Sequence, residues 1–203
     1  SDARVGEPGA RSFGTETSPA EILRFTSETR EKLIAAGYKI YDLTGQSIST
    51  LRDSGKPFHS QWHAQYPDIE NSPSRLTQVA IHPDNFFLPD SNKTTPFQRW
   101  RMLKKVSREL AKKENIDGVK AVIGELADYA ELAFAHLDRT GEGLFSQKDG
   151  YRYALTTTPI DASRHARIGA LGDRKNDDFG INIGGISRHN DTFIAPLIMP
   201  KAA

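Results

Sequence analysis

Residues 166–200 read ARIGALGDRKNDDFGINIGGISRHNDTFIAPLIMP, three apolar segments separated by two polar loops. Phe179, Ile181 and Ile183 in the middle segment alternate with small or polar residues, the period-2 pattern of a strand with one face in the core. The last segment, Thr192–Met199, is apolar on both faces and predicts a strand buried on both sides. The stretch therefore predicts a C-terminal three-stranded ribbon, and a simple meander would place its two loops at opposite ends of the middle strand.

The outward face of the middle strand is unusual because Gly180 and Gly184 leave Asn182 standing on a flat surface. Glycine inside a strand marks a bulge or a close approach by another backbone or by a ligand. Both interpretations stay open: a bend of the sheet, or a floor for a ligand. The second loop, residues 187–191, together with Asn182 is the candidate surface site. Pro196 cannot donate to a ladder, so it predicts an edge position or a bulge.

Composition limits the class of protein. The chain has 203 residues, a net charge of +1 and no cysteine. The balanced charge points to neither nucleic acid nor a membrane surface as a partner. The absence of cysteine removes disulfides, thiolate catalysis and zinc–sulfur sites. No apolar segment has the length of a membrane span and the N-terminus lacks the apolar core of a signal peptide, so we expect a soluble protein, cytoplasmic by default.

The order of elements predicts an α+β fold with two or three helices packed on a mixed or antiparallel sheet. Residues 1–17 have little to bury and are expected to form a flexible tail, followed by a single domain over residues 18–203. Ser18 and Glu21 form a helix-start signature, and Gly37 is a natural stop. The other predicted elements are helices at 96–114 and 125–137 and strands at 38–43, 76–81 and 119–123.

The helix predicted at 96–114 is strongly basic outside its apolar stripe. Nucleic-acid binding is one interpretation, but it calls for aromatic platforms and a basic overall balance, which the sequence does not indicate. A solvated helix face is the favoured interpretation. Glu125, Asp128 and Glu131 in the next helix are likewise expected to face water rather than to act in acid–base chemistry.

Two segments are candidates for binding metal ions. His59 and His63 are spaced by one helical turn and could bind a transition metal, although ordinary packing explains them as well. A second segment, after the helix at 125–137, resembles the calcium-binding loop of an EF-hand. Its candidate ligands are Asp138, Thr140, Glu142 and Asp149. The match departs from the EF-hand pattern at two positions. Thr140 replaces an acidic residue, and Asp149 replaces the bidentate glutamate. A polar, glycine-rich connection is the alternative.

Catalytic motifs are absent from the sequence. There is no glycine-rich phosphate loop, no nucleophile elbow and no helical zinc-protease motif. Ser163 and His165 are close in the chain, but such neighbours seldom meet as nucleophile and base. No catalytic residue and no resident cofactor are therefore assigned, apart from the calcium that the loop at 138–149 could take.

The C-terminal ribbon resembles the variable proteins of diversity-generating retroelements, which carry a C-type-lectin-like fold and bind ligands through a hypervariable C-terminal segment. The similarity is in organisation: a hydrophobic strand, Gly/Asn/Asp/Ser positions between apolar ones, and a framework strand at the end. These systems mutate adenines in asparagine-type codons, so that varied sites do not become Lys, Glu, Gln, Met or Trp. Residues 176–198 contain none of these five types.

The resemblance implies a C-type-lectin-like binding protein in which outward positions vary while the core stays fixed. The implied ligand contacts are Asn182, Ser187, Arg188, His189, Asn190 and Asp191, with Asn176, Asp177 and Asp178 as a second group. The implied partner is a protein or another surface ligand. Two alternatives remain: a metal-dependent enzyme or calcium-binding protein using His59 and His63 or the loop at 138–149, and a structural or assembly protein, a homo-oligomer included, that docks through the Gly180–Gly184 strand.

Overall fold

A computed structural model describes residues 23–59, 62–147, 150–172, 179–186 and 191–202. This part of the chain is α+β, with two four-stranded sheets and five α-helices. The helices are α1 (Ser27–Ala35), α2 (Ile48–Asp53), α3 (Pro67–Asn71), α4 (Pro96–Lys113) and α5 (Leu126–Thr140). Short 3-10 helices lie at Trp62–Gln65 and Pro83–Asn85. None of the helices in the described ranges is long and apolar enough to cross a membrane.

The strands divide between two larger sheets and one small hairpin. Sheet 1 contains β1 (Lys39–Asp42), β2 (Gln78–Ile81), β3 (Val119–Val122) and β10 (Leu197–Pro200). Sheet 2 contains β6 (Tyr153–Pro159), β7 (His165–Ala170), β8 (Ile181–Ile186) and β9 (Thr192–Phe193). The hairpin consists of β4 (Ser146–Gln147) and β5 (Gly150–Tyr151).

Sheet 1 is antiparallel with the order β1-β2-β10-β3, so the last strand in the chain is internal. Ile198 pairs with Ala80 on one side and with Ala121 on the other. Leu197 and Ile198 are both buried. The prediction of a final strand buried on both sides is therefore confirmed for Leu197 and Ile198, because neighbours on both edges and packing on both faces exclude water.

Sheet 2 has the order β8-β7-β6-β9, and it corrects the prediction of a three-stranded C-terminal ribbon. The β7–β8 pairing is antiparallel, as expected for two strands of a meander. The prediction of the third strand is wrong. Residues 192–193 pair parallel with β6 at the opposite edge of sheet 2, and the chain then crosses to sheet 1. The crossing passes through Ala195 and Pro196, and Pro196 cannot donate to a ladder.

Helix α5 is packed between the two sheets. All residues of α5 are buried except Ala135 and the last three, residues 138–140. Tyr129, Leu132 and Phe134 belong to one apolar cluster with side chains from both sheets. A helix buried on nearly every side needs cover on nearly every side, and the two sheets provide much of this cover for α5.

The other face of sheet 1 is covered by α1 and α4, through Leu33 and Leu110. The prediction of α4 is confirmed: Thr95 and Gln98 form a reciprocal capping box around Pro96. Helix α1 begins only at Ser27, and its Ile34 is exposed. The helix-start signature at 18–21 and the tail predicted at 1–17 lie outside the described residues.

Candidate functional site

Sheet 2 turns one face towards α5 and the other away from the core. On the inner face, Ala154, Ile168 and Ile183 lie side by side and are buried. Residues next to these in each strand point to the opposite side, which we call the outer face. Its first row contains Tyr153, Gly169 and Asn182, and its second contains Leu155, Arg167 and Gly184. Asn182, predicted to be outward, is half-buried there.

The ring of Tyr153 lies across Gly169. A Cβ atom at Gly169 would be 2.8 Å from Cδ1 of Tyr153, so any larger residue would push the ring away. This position brings the Tyr153 hydroxyl to the far side of β7. There Nδ2 of Asn182 donates a hydrogen bond to it, with a donor–acceptor distance of 2.9 Å. Gly169 thus allows a side chain on β6 to contact one on β8.

Arg167 covers Tyr153 from outside. Its guanidinium carbon lies 4.0 Å from the centroid of the Tyr153 ring, and Nη1 donates to Oδ1 of Asp191 at 2.7 Å. A Cβ atom at Gly184 would be 2.9 Å from Nε of Arg167. The Arg167 side chain is only 15% exposed, whereas that of Asp191 is 47% exposed. Gly184 therefore provides the space that Arg167 occupies.

These contacts correct the expectation of a bare glycine surface. The space beside Gly169 and Gly184 is filled by Tyr153 and Arg167, which sequence reasoning missed as members of the site. They link Asn182 to Asp191, the two predicted contact residues within the described ranges. The other predicted contacts lie outside those ranges: Asn176, Asp177, Asp178, Ser187, Arg188, His189 and Asn190.

Gly180, the other glycine of the predicted floor, has a different role. It lies against the chain at Pro57–His59, where a Cβ atom would be 2.7 Å from the amide nitrogen of His59. His59 N donates to the carbonyl of Ile181, and Ile181 N donates to that of Pro57. The close backbone approach predicted for this glycine is thus made by the chain itself, and β8 is bridged there by residues 57–59.

The outer face combines an aromatic ring, a guanidinium, an amide and a partly exposed carboxylate. These groups hold one another in place and can also offer hydrogen bonds and ring contacts to a ligand. No family model, curated protein or solved structure matches this chain. The geometry of the outer face is therefore what a functional assignment has to be built on.

His59 and His63, the candidate metal pair, lie in different environments. His63 is completely buried, with Nδ1 2.5 Å from Oε1 of Glu70, whereas His59 is exposed. Arg52 forms an ion pair with the same carboxylate. Burial opposes ionisation of Glu70, but Arg52 and His63 together outweigh it and lower the pKa of Glu70. Within the described residues, no group of three or more His, Cys, Asp or Glu side chains could hold a metal ion.

The segment that resembles an EF-hand loop begins inside a helix. Asp138 and Thr140 belong to the last turn of α5, which ends at Gly141 in a left-handed conformation. Asp138 binds Lys56 at 2.8 Å, and Glu142 is exposed. The chain continues into strand β4 instead of an exit helix, and Asp149 lies outside the described residues. In an EF-hand, by contrast, the first ligand begins the loop between two helices.

Two carboxylates of α5 lie in an environment that differs from the one predicted from the sequence. Asp128 and Glu131 are buried, which corrects the expectation that they face water. Glu131 accepts hydrogen bonds from the amides of Thr44 and Gln46 and from the hydroxyl of Ser74. Asp128 accepts from backbone amides of residues 75 and 76. Both carboxylates therefore fasten loops to α5, a structural role that satisfies buried charges with several donors.

Proposed function

We propose that this chain is a non-enzymatic binding protein, and that its recognition surface is the outer face of sheet 2 around Tyr153 and Asn182. The partner would be a protein or another surface ligand. The observation that supports the proposal most is the continuous contact from Asn182 through Tyr153 and Arg167 to Asp191. This set places recognition groups on a sheet face that points away from the core.

The physical argument rests on preorganisation. Tyr153 and Arg167 are of the residue types enriched at binding hot spots. Each is held by contacts within the chain, so less side-chain freedom has to be lost when a ligand binds. Asn182 and Asp191 remain accessible enough to exchange contacts with a ligand. A rigid ring and guanidinium with adaptable polar neighbours is the composition of many protein recognition surfaces.

The resemblance to variable proteins of diversity-generating retroelements, with their C-type-lectin-like fold, belongs to this proposal. Ile181 and Ile183 are buried under the outer face, whereas Asn182 between them is not. Changes at Asn182 or Asp191 would leave those core contacts in place. A surface of this kind could change its ligand while keeping its scaffold, and this would suit a segment that varies between copies.

Sequencing the same locus in related isolates tests the variable-protein part of the proposal. We expect substitutions to concentrate at residues 176–178, 182 and 187–191 while Ile181 and Ile183 stay apolar. Divergence spread evenly along the chain would remove this part.

Binding by the outer face is tested with immobilised glycan and peptide arrays. We expect ligands bound by the wild-type chain to be bound at least about tenfold more weakly by an Asn182→Ala/Asp191→Ala double variant. An Asp53→Ala variant, changed at an exposed residue of α2, should bind as the wild type does. If no array ligand distinguishes the double variant from the Asp53→Ala control, the outer face is not the recognition surface.

A further inference from the structure

A groove of about 650 Å³ lies where α4 meets the two sheets. Residues of α4 between Pro96 and Ser107 form one side, and residues of β3, β6 and the start of β7 form the other. The groove borders the outer face of sheet 2 at Leu155, but neither Tyr153 nor Arg167 lines it. Its volume lies within the range of small-molecule sites.

Hydrogen bonds fix the walls of this groove relative to each other. The amide of Ala121 on β3 donates to the hydroxyl of Ser107 on α4, at 3.0 Å. The amide of Thr157 on β6 donates to the carbonyl of Gly124, just beyond β3, also at 3.0 Å. The first bond holds the helix beside the edge of sheet 1, and the second joins the two sheets. The groove is therefore formed by the fold itself before any ligand binds.

The floor of the groove is apolar. Leu103, Val122, Ile123 and Leu155 contribute to it, and the indole of Trp100 forms part of the wall. The Trp100 side chain is exposed by 53%, although large aromatic residues are usually covered in soluble proteins. Nζ of Lys104 lies 4.3 Å from the ring centroid, so the wall combines an aromatic surface with a positive charge.

The charged side chains that line the groove within the described ranges all carry positive charge: Arg99, Lys104 and Lys120. None of the three forms an ion pair with a carboxylate in that part of the chain. Arg99 is half-buried, and its Nε donates to the hydroxyl of Thr94 at 3.3 Å. Burial lowers the pKa of Arg99. A partly desolvated guanidinium without a counter-ion is stabilised by any anion that reaches it.

We propose that this groove binds an amphiphilic organic anion, a molecule with an apolar body and one carboxylate or sulfonate group. The apolar body would lie on Leu103 and Leu155 against Trp100. The anionic group would lie near Arg99, Lys104 and Lys120, where its charge is complementary to theirs. The proposal does not depend on the outer face of sheet 2 being a recognition surface.

Two other occupants fit the observations less well. An anionic membrane would need the whole apolar stripe of α4, but Val106 and Leu110 of that stripe already pack on the core beneath sheet 1. A nucleic acid would use the cations all around the helix, including Arg101, Lys105 and Arg108 in the groove on its opposite side. The apolar floor favours a ligand with an apolar body over both.

Titration with laurate, followed by tryptophan fluorescence, tests the proposal. In a Trp62→Phe background, Trp100 is the remaining tryptophan, so its emission reports the groove directly. We expect a saturable change with laurate below its micelle concentration, and a response at least about tenfold weaker with dodecanol, which lacks the charge. No saturable change with laurate would overturn the proposal, and so would an equal response to dodecanol.

Lys104 and Lys105 provide a matched pair of variants, because they are adjacent exposed lysines of α4 that line opposite grooves. A Lys104→Ala/Lys120→Ala variant should bind laurate about tenfold more weakly, and Lys105→Ala within about twofold of the parent. Equal losses in both would indicate unspecific attraction to the whole helix. A single-stranded oligonucleotide that displaces laurate equally from the parent and the Lys104→Ala/Lys120→Ala variant would also contradict the groove assignment.

Discussion

The guanidinium carbon of Arg167 lies 4.0 Å from the centroid of the Tyr153 ring, and each of these side chains lies beside a glycine on the next strand. Glycine positions in β7 and β8 therefore serve large side chains of the same sheet. A cation over a ring is worth about 0.5–1 kcal/mol at exposed sites and more where water is excluded. The outer face thus keeps its shape through contacts that cross three strands.

Gly180, just before β8, and Gly184, on β8, should respond differently to substitution by alanine. The Cβ atom of Gly180→Ala would meet backbone atoms of residues 57–59, at a φ of +154°, whereas that of Gly184→Ala would meet the flexible side chain of Arg167. We expect Gly180→Ala to lower the free energy of unfolding by about 2–3 kcal/mol and Gly184→Ala by less than about 1 kcal/mol. Urea denaturation measures both, and equal losses would contradict the backbone contact at Gly180.

Tyr129→Phe tests how the crossing between the sheets is held. The Tyr129 hydroxyl donates to the carbonyl of Ala195 at 2.6 Å and accepts from the amide of Gly124 at 3.3 Å. Burial of this phenol raises the pKa of Tyr129, so it stays protonated and able to donate. Losing the hydroxyl leaves two buried backbone groups unpaired, at a cost of about 1–3 kcal/mol of unfolding free energy. Tyr151→Phe, at an exposed tyrosine, is the control and should change stability little in the same thermal or urea experiment.

Glu131→Gln should be strongly destabilising for a substitution of nearly equal size. The carboxylate accepts from Thr44, Gln46 and Ser74, and an amide nitrogen in its place would face donors. We expect a loss of about 2–3 kcal/mol of unfolding free energy. Glu109→Gln removes only a surface pair with Lys113, which is worth about 0.5 kcal/mol or less. A Glu131→Gln variant as stable as Glu109→Gln would show that the loops do not depend on this carboxylate.

Asp161, in the turn between β6 and β7, should titrate at unusually low pH. Hydrogen bonds from Ser163 and Arg164 lower the pKa of Asp161 from its ordinary value of 3.8 to about 2. A depressed pKa favours the folded state above pH 3.8, and this contribution is lost as the pH falls from 3.8 through about 2. Carboxyl NMR titration measures the midpoint directly. Arg164→Ala should raise it, whereas Arg108→Ala, on α4, should leave it unchanged.

Much of the local structure could be predicted from the sequence, because the signals were local. The capping box at Thr95 and Gln98 fixes the start of α4, and Gly37 follows α1 with a positive φ. Alternation around Ile181 and Ile183 identifies β8 and its inner face. These features depend on neighbours within a few residues, so the periodicity of apolar residues in the sequence predicts them.

Strand partners and polar contacts could not be predicted in the same way. Thr192 and Phe193 pair with β6 instead of β8, a choice that depends on the long-range position of β6. The membership of Tyr153 in the outer face follows from the same register, which no pattern within a single strand reveals. In the sequence, Glu131 has the spacing of a helix residue that faces water. The loops at residues 44–46 and 74, which contact it in the fold, come from distant parts of the chain.

The position of β10 in sheet 1 has a consequence for biosynthesis. During translation, β1, β2 and β3 leave the ribosome while residues 197–200, which lie between β2 and β3, have yet to be made. Until those residues arrive, β2 and β3 each present an open edge that can pair with other nascent chains. Completion of sheet 1 is therefore a late step, and the interval before it is when this chain is most exposed to misassembly.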